Sequence, residues 1–323
     1  MVLLLSEDDV SQLFSMQAAL SAVEEAFRAL GAGEAQNQPR RRVRIRGGML
    51  HNMSASLPSR QALGVKAYAT VRGNARFLVA LWDTQNGELK ALIEGDRLGQ
   101  IRTGAASGIA SKYLARASSE VLGMIGTGWQ ARAQVEAICA ALPIRQIRVF
   151  GRDAERRQAF AEAMRQTTGV EVVAAESAEA AVRDADIVTT MTSSATPVLL
   201  GEWLRPGTHV NAAGSNATNR QEIDVEAVRR ADLIVVDQLE GAQLECGDLT
   251  AAVEAGAASW DRVVELGAIV AGQASGRTSD QQITLFESQG LAVQDMAAAA
   301  YIYEQARERG LGQEVAFVTG EGH

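Results

Sequence analysis

The stretch EVLGMIGTGWQARAQ, residues 120–134, decides the fold of this chain. Apolar residues lead up to Gly126-Thr127-Gly128 and a helix-forming segment follows at once, which predicts a strand, a tight turn and a helix. Gly126, Gly128 and Ala131 match the pattern G-x-G-x-x-G/A. In this pattern the first glycine permits the turn, the second lets the backbone approach a pyrophosphate, and the third residue keeps the helix close to the sheet. A structural turn in an α/β domain that binds no nucleotide is the alternative interpretation.

The chain on the C-terminal side of this turn alternates between short apolar runs and polar, alanine-rich segments. The runs read VLGMIG, QIRVFG, VEVVAAE, ADIVTTMT, THVNAAG and ADLIVVDQ, and a seventh, QITLFESQG, precedes a last helical segment. Continuous apolar strands separated by helices are typical of a parallel sheet covered on both faces. The sequence therefore predicts an α/β fold with a Rossmann doubly wound parallel sheet.

The N-terminal part of the chain has a different pattern. Ser15 is a candidate N-cap for a first helix, and a second helix is expected to begin near Thr103. Between residues 41 and 93 the runs RVRIRGGML, LGVKAYATV and RFLVALWD predict an antiparallel sheet.

The last helix is expected to return to this N-terminal part, because it presents an apolar face at helical spacing. The residues on that face are Val293, Met296, Ala300 and Tyr303. We therefore predict a discontinuous α+β domain, residues 1–115 and 293–323, and a dinucleotide-binding Rossmann domain, residues 116–292.

Composition argues against several classes of protein. The 323 residues carry a net charge of −8, whereas nucleic acid binding needs a basic face. No run approaches the roughly 20 apolar residues of a membrane span, and the N-terminus lacks the basic region of a signal peptide. The two cysteines and three histidines have no metal-ligand spacing. We expect a cytoplasmic protein that binds no metal, membrane or nucleic acid.

The end of the second apolar run discriminates between cofactors. An acidic residue there binds the adenosine ribose of NAD, whereas an arginine accommodates the 2′-phosphate of NADP. The chain reads VFGRD, so that Gly151 and Arg152 occupy these positions and Asp153 comes later than an NAD-selecting acid would. We expect NADP(H) to be preferred and NAD(H) to be possible. The alternative for Arg152 is a solvated residue at the start of a helix.

These motifs make the chain resemble the ornithine cyclodeaminase/mu-crystallin family over nearly its whole length. The segments that carry the resemblance are GVKAY, DRLGQIRTGAASGIASKYLAR, GMIGTGWQA, VNAAGSN and ESQGLAVQDMAAAAYIYEQA. The resemblance implies a homodimer that exchanges hydride between a nicotinamide and the Cα atom of an amino or imino acid. It also implies that the discontinuous domain, residues 1–115 and 293–323, serves substrate binding and dimerisation. Activities in the family include ornithine cyclodeaminase, alanine dehydrogenase and ketimine reductase. One branch is known as a crystallin and hormone-binding protein, so a non-catalytic NADP(H)-binding role is an alternative.

Position 216 separates these activities. By resemblance, cyclodeaminases carry an aspartate where this chain has Asn216, and ketimine reductases lack it. Asparagine forms hydrogen bonds but cannot act as a general base, so Asn216 is expected only to orient the substrate nitrogen or a water. The sequence thus favours reduction of a cyclic 2-imino acid over ammonia-releasing cyclisation of ornithine. Glu222 and Asp224 are expected to cap the helix that follows.

Two arginines match the carboxylate-binding residues of the family. Arg102 is the first residue of RTGAAS, just before the predicted helix, and Arg41 matches a second arginine, although Arg40, Arg42 and Arg44 leave its register open by a residue. A planar guanidinium binds a carboxylate through two parallel hydrogen bonds. The alternative for Arg41 is a solvated strand face.

Lys66 lies between Val65 and Ala67 in an apolar strand, in a chain where only three of the 31 basic residues are lysine. A partly buried lysine can lower its pKa and transfer a proton, whereas arginine stays protonated. By resemblance, Lys66 contacts the substrate and assists proton transfer. A structural lysine at the sheet edge is the alternative.

Further residues are assigned by the resemblance or by their place in the predicted strands. Met53, Phe77 and Arg76 are candidates for selecting the substrate side chain, and Arg76 could instead pair with Glu94. The expected dinucleotide contacts are Thr103, Gly126, Thr127, Gly128, Trp129, Gln130, Ala131, Gly151, Arg152, Thr192, Ser193, Ala213 and Gly214.

Overall fold

The computed structural model describes residues 1–316, and its contacts divide the chain into two units. The first unit is Met1–Arg102 together with the described residues from Leu291 onward, and the second is Thr103–Gly290. The division falls inside a helix, whereas we predicted a boundary near residue 115. No polar or glycine-rich linker marks the observed position in the sequence.

The first unit contains two N-terminal helices and a mostly antiparallel sheet. In chain order its elements are β1 (Val2–Leu5), α1 (Glu7–Leu13), α2 (Met16–Gly31), β2 (Gln36–Asn37), β3 (Arg41–Ile45), β4 (Gly48–Leu57), β5 (Ala62–Val71), β6 (Asn74–Asp83), β7 (Leu89–Glu94) and α3 (Asp96–Leu114), within which the division falls. The strand pairs of the sheet are antiparallel except for the parallel pair β1 and β7.

The start of α3 differs from the prediction. The helix begins at Asp96 and not near Thr103, because the carboxylate of Glu7 accepts hydrogen bonds from the Asp96 and Arg97 N–H groups, at 2.7 and 2.8 Å. A capping residue so far away in the chain leaves no local sequence signal. Ser15, by contrast, caps α2 as predicted, since its hydroxyl accepts from the N–H of Ala18 at 3.2 Å.

The second unit alternates strands and helices. Its elements are β8 (Val121–Ile125), α4 (Trp129–Ala141), β9 (Gln146–Phe150), α5 (Ala154–Thr168), β10 (Glu171–Ala174), α6 (Ala178–Val182), β11 (Ile187–Thr190), β12 (His209–Ala212), α7 (Val225–Arg230), β13 (Leu233–Val236), α8 (Leu239–Glu245), α9 (Gly247–Glu254), β14 (Val263–Glu265), α10 (Leu266–Val270) and β15 (Thr284–Glu287).

These strands form a parallel sheet in the order β10-β9-β8-β11-β12-β15-β13-β14. Both faces are buried: Ile187 packs into one apolar cluster, and its neighbour Val188 packs into another. The predicted Rossmann doubly wound sheet is confirmed. The strand order reverses at β8, because β9 and β10 follow on one side of it and β11 on the other. Such a switch point is where this fold binds dinucleotides.

The chain then returns to the first unit with α11 (Ala292–Arg309) and β16 (Gln313–Val315). Helix α11 packs against α2, β4 and β5, and the strand order of the sheet is β16-β1-β7-β6-β5-β4-β2, with β3 paired to β4. The predicted α+β unit is thus discontinuous in sequence. Within residues 1–316, no helix is both long and apolar enough to cross a membrane.

Candidate active site

The glycine turn after β8 is shaped for a phosphate. Gly126 has a φ of +118°, and a Cβ there would lie 2.2 Å from the carbonyl oxygen of Met191, so only glycine fits. Gly128 is the N-cap of α4 and provides no side-chain cap, and a Cβ built on it would meet nothing within 4 Å. The space next to Gly128 at this helix N-terminus is therefore open, as the approach of an anion requires.

An open cavity of about 850 Å³ lies at this turn. It is lined by residues at the carboxyl ends of β8, β9, β11 and β12. The predicted dinucleotide contacts in its lining are Gly126, Thr127, Gly128, Trp129, Gln130, Gly151, Arg152, Thr192, Ser193 and Gly214.

Three predicted dinucleotide contacts are not among the lining residues described for this cavity. Ala131 is fully buried in the apolar cluster that contains Leu122, which agrees with its packing role in the glycine pattern. Ala213 is also buried. The carbonyl of Thr103 accepts a hydrogen bond from the side chain of Gln134 at 3.3 Å.

The far end of the cavity is basic. Arg152 and Arg156 both line it. Asp153 also lines it, but its carboxylate caps α5 by accepting from the Arg156 N–H at 3.0 Å. Gly151 is needed for packing, since a Cβ there would lie 2.4 Å from the hydroxyl of Thr127. The one acidic side chain in the lining is thus engaged in capping, while two guanidinium groups are present.

Asn216 lies half-buried in the loop after β12. Of the two acidic residues that follow, Asp224 caps α7 as predicted, accepting from the Ala227 N–H at 2.8 Å. The expectation for Glu222 is wrong. Its carboxylate accepts from the backbone N–H groups of Thr192 and Gly214, at 2.6 Å each. Both partners line the cavity.

The first unit contains a buried cluster of opposite charges. The Nζ atom of Lys66 donates to Oδ1 of Asp295 at 2.7 Å, and Nε of Arg102 donates to the same oxygen at 3.0 Å. Nη1 of Arg102 donates to Oε1 of Gln294 at 3.0 Å. Lys66 is 2% exposed and Asp295 fully buried. One carboxylate on α11 therefore fixes the side chains of both predicted substrate contacts, Lys66 and Arg102.

Burial lowers the pKa of Lys66 from its usual 10.5 to about 8, with Arg102 and Arg40 adding to the decrease and Asp295 opposing it. The ammonium group can thus lose and regain a proton near neutral pH. The second carboxylate oxygen of Asp295 has no hydrogen-bond partner among the described residues.

Lys66 is not the sheet-edge lysine of the alternative interpretation, because β5 pairs with β4 on one side and β6 on the other.

The strand register decides between the arginines near residue 41. Met53 pairs with Lys66 and Arg42 pairs with His51, so the even-numbered residues of β3 lie on the same face of the sheet as Lys66. Arg40 is buried and its charge reaches both Lys66 and His51. Arg41 is exposed and lies on the opposite face. Of these two arginines, Arg40 and not Arg41 therefore lies on the face of Lys66.

The remaining candidates for substrate specificity also lie on different faces of the sheet. Met53 is buried beside Lys66, and Nζ of Lys66 lies 5.5 Å from the ring centroid of Phe77. Tyr68 stacks on Phe77 at 4.8 Å and on His51 at 4.1 Å. Arg76 pairs in register with Ala69 on the other face and is exposed, so it does not lie beside Lys66.

Sequence reasoning missed Asp295 and Gln294, although the motif that contains them was recognised. An aspartate and a glutamine between Val293 and Met296, which are fully buried, stand on the apolar face of a helix. That pattern could have identified Asp295 and Gln294 from the sequence, because a buried carboxylate needs a partner.

The structure also brings together Cys246, Asp248 and Glu287, which the spacing of the sequence did not indicate. Their potential ligand atoms lie within 4.8 Å of one another, and the thiol of Cys246 donates to Glu287 at 3.3 Å. Burial raises the pKa of both Cys246 and Glu287 well above their usual values. Burial therefore disfavours the charged forms of both groups, which are joined by a hydrogen bond.

Comparison with known proteins identifies the family. The model of the ornithine cyclodeaminase/mu-crystallin family matches residues 1–310. The chain belongs to this family. Among curated members of the ornithine cyclodeaminase/mu-crystallin family, a Δ1-pyrroline-2-carboxylate reductase of Bacillus cereus is 41% identical over 265 residues, which are 80% of this chain and 81% of the relative.

Solved structures of the ornithine cyclodeaminase/mu-crystallin family have the same fold over their full length. Thermococcus litoralis Δ1-pyrroline-2-carboxylate reductase, in complex with NADH and L-proline, superposes with a TM-score of 0.93 at 37% identity and covers 97% of this chain and 100% of its own. An archaeal alanine dehydrogenase dimer with bound NAD gives a TM-score of 0.93 at 36% identity, covering 98% and 99%.

Proposed function

We propose that the protein is a nicotinamide-dependent oxidoreductase that reduces the C=N bond of a small 2-imino acid, with a cyclic imine such as Δ1-pyrroline-2-carboxylate as the leading substrate. The observation that carries this proposal is the buried ion cluster in which Asp295 holds both Lys66 and Arg102. Its cations match the two polar ends of such a substrate, a carboxylate and an imine nitrogen. The similarity to reductases with this substrate supports the choice.

Each charged residue has a distinct role in this proposal. Arg102 and Arg40 bind the substrate carboxylate, since guanidinium groups form charge-assisted hydrogen bonds with carboxylates. Lys66 keeps the imine nitrogen protonated or polarised, which makes the adjacent carbon more electrophilic. Asn216 orients this nitrogen or a water and takes no proton. Fixing the substrate in this way lowers the barrier by positioning.

The cavity of the second unit fits a dinucleotide, because its glycine turn leaves a helix N-terminus open to a pyrophosphate. The bound reduced nicotinamide would supply the hydride. The dinucleotide would be held by backbone contacts with Gly126, Gly128, Thr192 and Gly214. Arg152, with Arg156 beside it in the lining, supports our proposal that NADP(H) is preferred and NAD(H) accepted.

We further propose that the protein is a homodimer formed through the sheet of the first unit. The face opposite Lys66 carries exposed apolar side chains as well as Arg41 and Arg76: Leu50, Leu63 and Leu78 are 48%, 46% and 42% exposed. Leu50 lies beside Ala69 and Leu78 beside Ala67, so the apolar surface is continuous across three strands. Contiguous apolar surface of this kind marks a protein interface.

The proposed reduction is tested by a substrate panel assayed with NADH and NADPH. The panel contains Δ1-pyrroline-2-carboxylate, a six-membered cyclic ketimine, pyruvate with ammonia, and ornithine. Turnover of cyclic ketimines that Lys66→Met abolishes, while dinucleotide binding stays unchanged, is the expected result. Ammonia release from ornithine at the rate of ketimine reduction would show that the inference from Asn216 is wrong. Dinucleotide binding without any turnover would favour the crystallin-like role.

A further inference from the structure

Glu222 is a buried carboxylate that the proposed reaction does not use. It lies between β12 and α7 and is 1% exposed. One carboxylate oxygen accepts from the N–H of Thr192, and the other accepts from the N–H of Gly214 at 2.6 Å and from the hydroxyl of Thr190 at 3.0 Å. This single side chain therefore joins the loops that follow β11 and β12.

The surroundings of Glu222 are built for this contact. A Cβ on Gly214 would lie 2.5 Å from Oε2 of Glu222 and 2.4 Å from the nitrogen of Thr192, so only glycine lets the carboxylate approach. The backbone of Glu222 is itself held by Asp248, whose carboxylate accepts from the N–H groups of Glu222 and Ile223 at 2.8 and 3.0 Å.

We infer that Glu222 is a positioning residue for the dinucleotide: its ionised carboxylate ties together the two loops that form one wall of the cavity. The inference rests on the proposed function, because the ligand is the nicotinamide dinucleotide. Thr192 and Gly214 both line the cavity, and hydrogen bonds to an ionised acceptor are roughly twice as strong as neutral ones. Loss of the tie would therefore loosen the wall that contacts the ligand.

Protonation would break the tie. Burial raises the pKa of Glu222, against the hydrogen bonds from Thr192, Gly214 and Thr190, which lower it. The charged groups that interact with Glu222 are Asp248 of α9 and Glu287 of β15, both acidic. Because the folded carboxyl has a raised pKa, the tie is complete above that pKa and is lost as the pH falls through it.

The test measures the dissociation constant of NADH by calorimetry between pH 8 and pH 5.5. Glu222→Gln should weaken binding about tenfold at pH 8, because an amide N–H would face a backbone N–H and leave a buried donor unpaired. Its binding should also depend less on pH than that of the wild type, whose affinity should fall on acidification toward that of the variant. Glu222→Asp, which keeps the charge, should restore part of the affinity and the pH dependence.

Thr190→Val is the matched control, because it removes one hydrogen bond to the same carboxylate and leaves both loop contacts in place. Its affinity should stay close to that of the wild type. A Glu222→Gln variant that lowers only the melting temperature, or that keeps the wild-type pH dependence, would overturn the inference. If Glu222→Gln does not fold, a wild-type affinity that is constant over this pH range would overturn it. Absence of any dinucleotide binding to the wild type would instead refute the proposed function.

Discussion

Lys66 is an ionisable group buried in an apolar sheet, and its neighbours set its protonation state. Desolvation and the charges of Arg102 and Arg40 favour the neutral amine, whereas Asp295 favours the ammonium form. The balance leaves the pKa of Lys66 at about 8, where an acid can both donate and recover a proton at neutral pH. An arginine at this position would stay charged at every accessible pH.

We predict that Asp295→Asn shifts the pH profile of the reaction. If protonated Lys66 polarises the imine, kcat/KM falls as the pH rises through the pKa of Lys66. Removing the negative charge of Asp295 lowers that pKa further, so the alkaline limb should move to lower pH, by about one unit for each 1.4 kcal/mol of lost interaction. The profile is measured with a cyclic ketimine and NADPH. An unshifted limb with a reduced kcat would mean that Asp295 only supports the fold.

Neighbouring arginines on opposite faces of β3 provide a second test. Arg40 lies on the face of Lys66 and Arg41 on the exposed face. Arg40→Ala should raise the substrate KM about tenfold or more, because a charged hydrogen bond contributes about 1.5–3 kcal/mol, while Arg41→Ala should leave KM within a few-fold. Steady-state kinetics of both variants decide the question. A larger effect from Arg41→Ala would restore the register that the sequence pattern favoured.

At the scale of elements, the sequence predicted the features that depend on residues close together in the chain. Most strands of both sheets follow from apolar patterns, but β1, β2, β14 and β16 were not predicted. The turn after β8 follows from glycines that its backbone geometry requires. The start of α3 was misplaced because its cap, Glu7, lies 89 positions from Asp96. Asp295 lies 229 positions from Lys66 and could not be paired with it by spacing. The sequence thus predicted which residues were unusual, but not the partners that make them stable.

The proposed preference for NADP(H) depends on the β9–α5 connection. Arg152 and Arg156 line the cavity there, and Asp153 is engaged as the cap of α5. We predict that Arg152→Ala weakens NADPH by about 1.5–3 kcal/mol, the contribution of a charged hydrogen bond, and weakens NADH much less. Dissociation constants of both dinucleotides are compared by calorimetry, with Arg132→Ala on the exposed side of α4 as the control. Equal losses for both dinucleotides would refute the preference for NADP(H).

At the scale of the whole molecule, the exposed apolar face of the first unit predicts the oligomeric state. A soluble monomer rarely exposes a continuous apolar sheet face, and burying one leucine side chain contributes about 1.5–3 kcal/mol. We therefore expect the wild type to be a dimer at micromolar concentration. Leu78→Glu should dissociate it, because a carboxylate would be buried without a partner at the interface.

Val173 supplies the matched control, because it is a strand residue of the second unit and 41% exposed, close to the exposure of Leu78. Val173→Glu introduces the same charge outside the proposed interface and should leave the dimer intact. Molar masses from light scattering coupled to gel filtration distinguish the variants, and circular dichroism verifies that each is folded. A monomeric wild type, or a Leu78→Glu variant that remains dimeric, would show that the apolar face of this sheet is not the dimer interface.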